Sequence, residues 1–127
     1  MEDILKNLKV MVIDDSKTIR RTAETLLQRE GCEVITAVDG FEALSKIAET
    51  QPDIIFVDIM MPRLDGYQTC ALLKNSQNFR NIPVLMLSSK DGSFDQAKGR
   101  VVGANQYLTK PFSKDELIDA IRTHIQA

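Results

Sequence analysis

Short apolar runs alternate along the whole chain with longer stretches of helical period. The runs fall at residues 10–13, 34–37, 54–57, 84–87 and 106–109. Four of them are rich in Val, Ile and Leu with little polar alternation, which predicts strands covered on both faces of a parallel sheet. Between them, Ile19, Ala23, Leu26 and Leu27 follow i, i+4, i+7, i+8, and Gly31 offers a C-terminal stop. Leu44, Ile47 and Ala48 repeat the stripe. Asp65-Gly66 turns into a segment carrying Tyr67, Cys70, Ala71 and Leu73, and Pro83 forbids its continuation. Phe94, Ala97 and Val101 make a poorer stripe interrupted by Gly99, predicting a short, loosely held helix. The last helix has Ser113 and Glu116 at capping-box spacing, with Leu117, Ile121 and Ile125 on one face.

Five strands alternating with five helices predict an α/β doubly wound domain, a five-stranded parallel sheet with helices on both faces. The expectation is one domain over residues 1–127, with a short polar N-terminal extension at residues 1–8. At 43% hydrophobic and 27% charged, the composition supports a packed core and excludes intrinsic disorder. Sixteen basic against 18 acidic residues give a net charge of −2, which supplies no field for a phosphate backbone and argues against direct nucleic-acid binding. Cys32 and Cys70, 38 residues apart, read as buried thiols of a reducing compartment. No apolar run reaches the length of a membrane span, and no secretory leader is visible, so the expected location is cytoplasmic.

Candidate chemistry sits where the strands end. The first run ends in Asp14-Asp15, the third in Asp58, the fourth in Ser88-Ser89 and the fifth in Lys110. A parallel sheet collects all carboxyl ends on one edge, where ligands bind. Three carboxylates so gathered repel one another unless a cation holds them. One histidine and no paired cysteines leave oxygen ligands, which favour Mg²⁺ or Mn²⁺ over zinc. Such an ion with Lys110 and Ser88 suits the electrostatics of phosphoryl transfer, and a carboxylate can be the acceptor. Asp58, alone at the end of a central strand, is best placed for it.

Taken singly, these residues have ordinary explanations. Asp-Asp after a strand is most often a turn or helix cap. Ser88 can be a cap, and Lys110 before Pro111 a solvated loop charge. Thr18, Arg20 and Arg21 read as a polar helix face, Lys90 with Asp91-Gly92 as a turn, and His124 as either a solvent-facing residue or a C-terminal helix residue favoured by the helix dipole. The joint placement at successive strand ends favours the functional reading.

Four segments carry a resemblance that spans essentially the whole chain. Val12-Ile13-Asp14-Asp15-Ser16, the stretch from Phe56 to Gly66, Leu87-Ser88-Ser89-Lys90 and Tyr107-Leu108-Thr109-Lys110-Pro111-Phe112 resemble the receiver domain of two-component response regulators. The resemblance implies the strand order 2-1-3-4-5 and Asp58 as phosphoacceptor. It implies Mg²⁺ bound by Asp15, Asp58 and the Met60 backbone carbonyl, with Asp14 acting through a water. It also implies that Lys110 contacts the phosphoryl group, that Ser88 reports its arrival, that Tyr107 is an aromatic switch, and that Lys110-Pro111 is cis. Such a domain catalyses no more than its own phosphorylation and dephosphorylation. Met60 and Lys90 stand at positions that vary in the family and influence the lifetime of the phosphorylated state.

Segments 17–27, 64–71 and 106–113 are similar to the single-domain receiver of the chemotaxis-like system that controls type IV pilus twitching motility. That narrower resemblance implies a chemotaxis-type histidine kinase as donor and a monomer that partners can recruit to the cell pole. With no further domain expected after Ala127, output is expected by contact of the fourth helix, fifth strand and fifth helix with a downstream protein. Other readings remain open here: a phosphate sink or connector in the same relay, a flagellar or other motility receiver, or a haloacid dehalogenase-type phosphohydrolase. The last expects an aspartate two residues after its nucleophile, where this chain has Met60. A flavodoxin-like carrier is disfavoured, because Asp14-Asp15 would repel the flavin phosphate.

Overall fold

In the computed structural model, residues 4–89 and 96–125 are described. The elements run β1 (Lys9–Ile13), α1 (Lys17–Arg29), β2 (Glu33–Ala37), α2 (Gly40–Thr50), β3 (Ile54–Asp58), α3 (Gly66–Lys74), β4 (Val84–Ser89), α4 (Gln96–Val102), β5 (Gln106–Lys110) and α5 (Lys114–His124). All strand pairs are parallel and the sheet order is β2-β1-β3-β4-β5. Every expected strand is present, extended by one or two residues.

The absence of polar alternation in the strands has a direct cause. Val10, Val12, Ile54, Phe56, Leu85 and Leu87 face one core, which Ala23 and Leu27 of α1 and Leu117 and Ile121 of α5 complete. Met11, Ile13, Ile55, Val57, Val84 and Met86 face the other, with Ala43 and Ile47 of α2 and Tyr67, Cys70 and Leu73 of α3. Successive strand residues point to opposite faces, so both parities must be apolar when helices cover both sides.

Local capping fixes the helix starts. The side chains of Ser16, Asp39, Asp65 and Ser113 accept main-chain hydrogen bonds at the N-termini of α1, α2, α3 and α5. Capping boxes join Asp65 to Gln68 and Ser113 to Glu116. Beyond α1, Gly31 adopts φ +93, a left-handed conformation that glycine reaches without a Cβ penalty.

Several expectations are corrected. The expected polar N-terminal extension is not polar throughout, because Leu5 is fully buried and Leu8 joins the same core. Ala48 is exposed; α2 buries Gly40, Ala43 and Ile47 instead. On α3 Ala71 is half-buried, whereas Thr69 is fully buried and donates its hydroxyl to the Asp65 carbonyl. Val101 is 85% exposed, whereas Val102 at the end of α4 and Ala104 just beyond it are partly buried against the core. Phe94 and the Lys90 to Gly92 turn lie outside the described residues, as does the side chain of Ala97. Both cysteines are buried thiols, and no disulfide joins them. No helix among the described residues is long and apolar enough to cross a membrane.

Phe56, 1% exposed at the centre of β3, is the largest of the fully buried side chains among the described residues. Phe56→Ala removes its ring from the closed α1–α5 core and should lower unfolding stability by about 3–5 kcal/mol, read from the urea midpoint.

Candidate functional site

The chain leaves β1 towards β2 on one side and β3 lies on the other, so the strand order reverses between β1 and β3. The crevice of an open parallel sheet opens at such a point. Ile13 and Val57 are register partners, which brings the next residues, Asp14 and Asp58, side by side at the carboxyl edge. Farther along that edge, Ser88 is paired with Thr109 and Ser89 with Lys110. The four strand ends singled out in the sequence therefore form one row.

Asp14 is completely buried and Asp58 is 3% exposed, whereas Asp15 faces solvent. Oxygen atoms of the three carboxylates lie within 4.8 Å of one another. The Lys110 ammonium bridges the two buried carboxylates, with Nζ 3.2 Å from Asp14 Oδ2 and 3.2 Å from Asp58 Oδ1. The remaining bonds are local. The Ser16 amide donates to Asp14 Oδ1 at 2.8 Å and the Met60 amide to Asp58 Oδ1 at 3.2 Å. The Ser88 hydroxyl, buried, donates to the Ser89 carbonyl at 3.2 Å.

One ammonium does not balance two buried carboxylates. Burial, and then the charge of Asp14, push the Asp58 carboxyl up to about 6, against the lowering effect of the Met60 amide and Lys110. Burial also works against the Lys110 ammonium, but the two carboxylates outweigh it and its pKa is raised. A cluster of oxygen donors that is short of positive charge fits a hard divalent cation.

The approach of α3 completes the crevice. A Cβ on Gly66 would lie 2.4 Å from the Asp58 carbonyl oxygen and 2.7 Å from Ile59 Cα, so the helix start presses directly on the end of β3. The Lys110-Pro111 peptide is cis. Tyr107 lies on β5 with 40% of its surface exposed, and the Met60 side chain is 66% exposed at the rim.

Two features escaped the sequence reading. Arg20, read as part of a polar face, turns back from α1 and donates Nη1 to the Asp14 carbonyl at 2.6 Å. Arg63, held at φ +67, bonds Asp39 at 2.6 Å and lies 5.2 Å from the centre of the exposed Phe41 ring, clasping the start of α2 to the β3–α3 loop. Arg20 had one available signal, its place in the first turn and a half of the helix that follows Asp14-Asp15. His124 ends α5, as one of its two readings expected, but it is half-buried and not solvent-facing, with Nε2 2.7 Å from Gln106 Oε1, and burial followed by the nearby Lys74 charge lowers its pKa.

The sequence profile of the response regulator receiver domain matches residues 10–122. The chain belongs to the response regulator receiver family. This receiver is 73% identical over 125 residues to protein PilG of Pseudomonas aeruginosa PAO1, covering 98% of this chain and 93% of PilG. Among solved structures it is similar to the chemotaxis protein CheY4 of Vibrio cholerae, at TM-score 0.87 and 33% identity over 93% of this chain and 98% of that one. It is also similar to the receiver domain of a sensor histidine kinase from Pseudomonas aeruginosa PAO1, described with a magnesium ion coordinated in its active site cleft. That match has TM-score 0.84 and 25% identity over 93% of this chain and 97% of that one.

The raised Asp58 pKa has a stability consequence in this receiver. Between the unfolded value of 3.8 and the folded value of about 6, the native state keeps a proton that the unfolded state has released. Stability therefore falls as pH rises through that window, and the full cost is present above it. Asp58→Asn should stabilise the metal-free protein by about 1–3 kcal/mol at neutral pH. The gain should shrink towards zero near pH 4, as followed by urea unfolding across the range.

Proposed function

We propose that this receiver is a signalling switch in which Asp58 accepts a phosphoryl group from the phosphohistidine of a chemotaxis-type kinase. The observation that carries the reading is the Lys110 bridge to Asp14 and Asp58 at adjacent strand ends. An Asp58 oxygen attacks phosphorus, the P–N bond breaks, and the donor imidazole keeps the electron pair. Lys110 is placed to follow the transferred oxygens as charge gathers on them. Ser88 can exchange its bond to the Ser89 carbonyl for one to the same group.

Asp15, Asp58 and the Met60 carbonyl would hold Mg²⁺, with Asp14 supporting from behind; Mn²⁺ is a chemically reasonable substitute. When bound, the ion supplies positive charge to the phosphoryl oxygens. Asp14 and Asp58 keep their carboxylates oriented through the Ser16 and Met60 amides, and the start of α3 closes one wall.

Arrival of a phosphoryl group adds negative charge and acceptor oxygens beside Lys110 and Ser88. Ser88 and Thr109 are register partners, so a shift of Ser88 is felt on β5, two residues from Tyr107. Tyr107, already at the surface, then changes the face formed by α4, β5 and α5, where a downstream protein binds. The similarity to PilG over nearly the full chain supports an output in type IV pilus motility, in a cytoplasmic protein that partners bring to the cell pole. The chain acts as one domain and, apart from its own phosphorylation and dephosphorylation, not as an enzyme.

Incubation with radiolabelled acetyl phosphate should label the protein when Mg²⁺ is supplied and not when it is chelated, and Asp58→Asn should abolish the label. Equal labelling of that variant overturns the assignment. Beryllofluoride with Mg²⁺, a mimic of the phosphorylated state, should shift the amide resonances of Tyr107 and α5. In Ser88→Ala the site should still saturate while the Tyr107 shift is lost; retention of that shift removes Ser88 from the relay.

A further inference from the structure

We infer that Arg20 is a positioning residue for the cation-binding carboxylates, acting through the main chain of Asp14; this rests on the reading that Asp14, Asp15 and Asp58 hold Mg²⁺. The strand ladder ends just before the site, with Ile13 paired to Ala37 on one side and to Val57 on the other. The Asp14 amide still reaches the Ala37 carbonyl at 3.1 Å. The Asp14 carbonyl lies past the last register pair, in a residue with no solvent exposure. A main-chain acceptor so buried requires a partner, and Arg20 Nη1 reaches it at 2.6 Å.

The bond closes a ring around the β1–α1 turn. The Ser16 amide donates to Asp14 Oδ1, the Ile19 amide to Ser16 Oγ at 3.3 Å, and the Arg20 amide to the Ser16 carbonyl at 3.0 Å. Arg20 thus grips both ends of the turn, through its own main chain and through its guanidinium. The peptide joining Asp14 to Asp15 is planar, so holding the Asp14 carbonyl also fixes the plane from which the Asp15 side chain springs. Asp15 is exposed, and burial does little to place its carboxylate. Its direction comes from the main chain that Arg20 pins.

The sign of the effect separates this role from a simple charge effect. As a nearby cation, Arg20 would repel a metal ion, and its removal would tighten Mg²⁺ binding. As a positioning residue, its removal loosens the Asp14-Asp15 turn and weakens binding.

Mg²⁺ is titrated into the full chain, with the dissociation constant read from the Asp15 and Ser16 amide resonances and the melting temperature recorded alongside. Arg20→Ala should raise the dissociation constant about 10-fold, the usual scale for loss of a group that orients a metal ligand. Arg20→Lys, which keeps a donor of similar reach, should recover most of the affinity, and Arg21→Ala on the exposed face should match the unaltered protein. Should Arg20→Ala not fold, Arg20→Gln carries the same test, a neutral donor of shorter reach expected to weaken binding by a smaller factor. Unchanged or tighter Mg²⁺ binding in a folded Arg20 variant overturns the inference, whatever happens to its melting temperature. Equal weakening by Arg21→Ala overturns it as well. Failure of the underlying site reading is distinct, because the unaltered protein would then show no saturable Mg²⁺ binding, and both would fall.

Discussion

Two buried carboxylates and one ammonium at the carboxyl edge of the sheet set the terms for the rest of the molecule. Asp14 and Asp58 share Lys110 at equal distances, and neither carboxylate can move away without abandoning a strand end. Burying like charges is costly unless they are neutralised or hydrogen-bonded. This fold supplies part of the compensation through main-chain amides and one lysine, and leaves a deficit of positive charge. That deficit makes the site receptive to a hard cation and responsive to any group that changes its charge. A site balanced in itself would have little reason to respond.

The scaffold holds this imbalance because its interior is closed on both faces. The strand residues just before Asp14 and Asp58 are apolar at every position and packed under helices on each side. Carboxylates begin where the ladder ends and helix N-termini begin. The same border hosts the local hydrogen bonds of the β1–α1 turn and the close approach of Gly66 to β3. A rigid platform thus meets loops whose geometry rests on a few polar contacts. Functional groups at strand ends gain both the precision of the sheet and the adaptability of the turns. On the α2–α3 face of the sheet, α4 presents an exposed Val101, while Val102 at its end is partly buried against the core.

Much of this was legible in the residues. Doubly apolar runs announced strands covered on both faces, the Ser113 and Glu116 spacing announced a capping box, and polar residues at four run ends announced a shared edge. What escaped has a common cause. Ala48 and Val101 were misplaced because a stripe on a helical wheel has no phase relative to a sheet until packing sets one, and Leu5 because a lone apolar residue in a polar segment has no period to mark it. Arg20 was misread, and the solvent-facing alternative for His124 fell, because a polar side chain can turn towards the protein as readily as towards water, and spacing does not say which.

Sequence alone determined the order of elements, the parallel class of the sheet and the residue types at its carboxyl edge, because hydrophobic period and strand-end chemistry are local properties. The lateral order β2-β1-β3-β4-β5 came from resemblance to a family until the pairing of strands made it physical. Only the tertiary structure decided that Asp14 and Asp58 are buried while Asp15 is not, that one lysine serves both, and that Arg20 grips the turn between them. Those facts depend on which strand ends become neighbours and how closely a helix seats above them. The distances that follow, between residues as far apart in the chain as Asp14 and Lys110, exist only once the sheet has assembled.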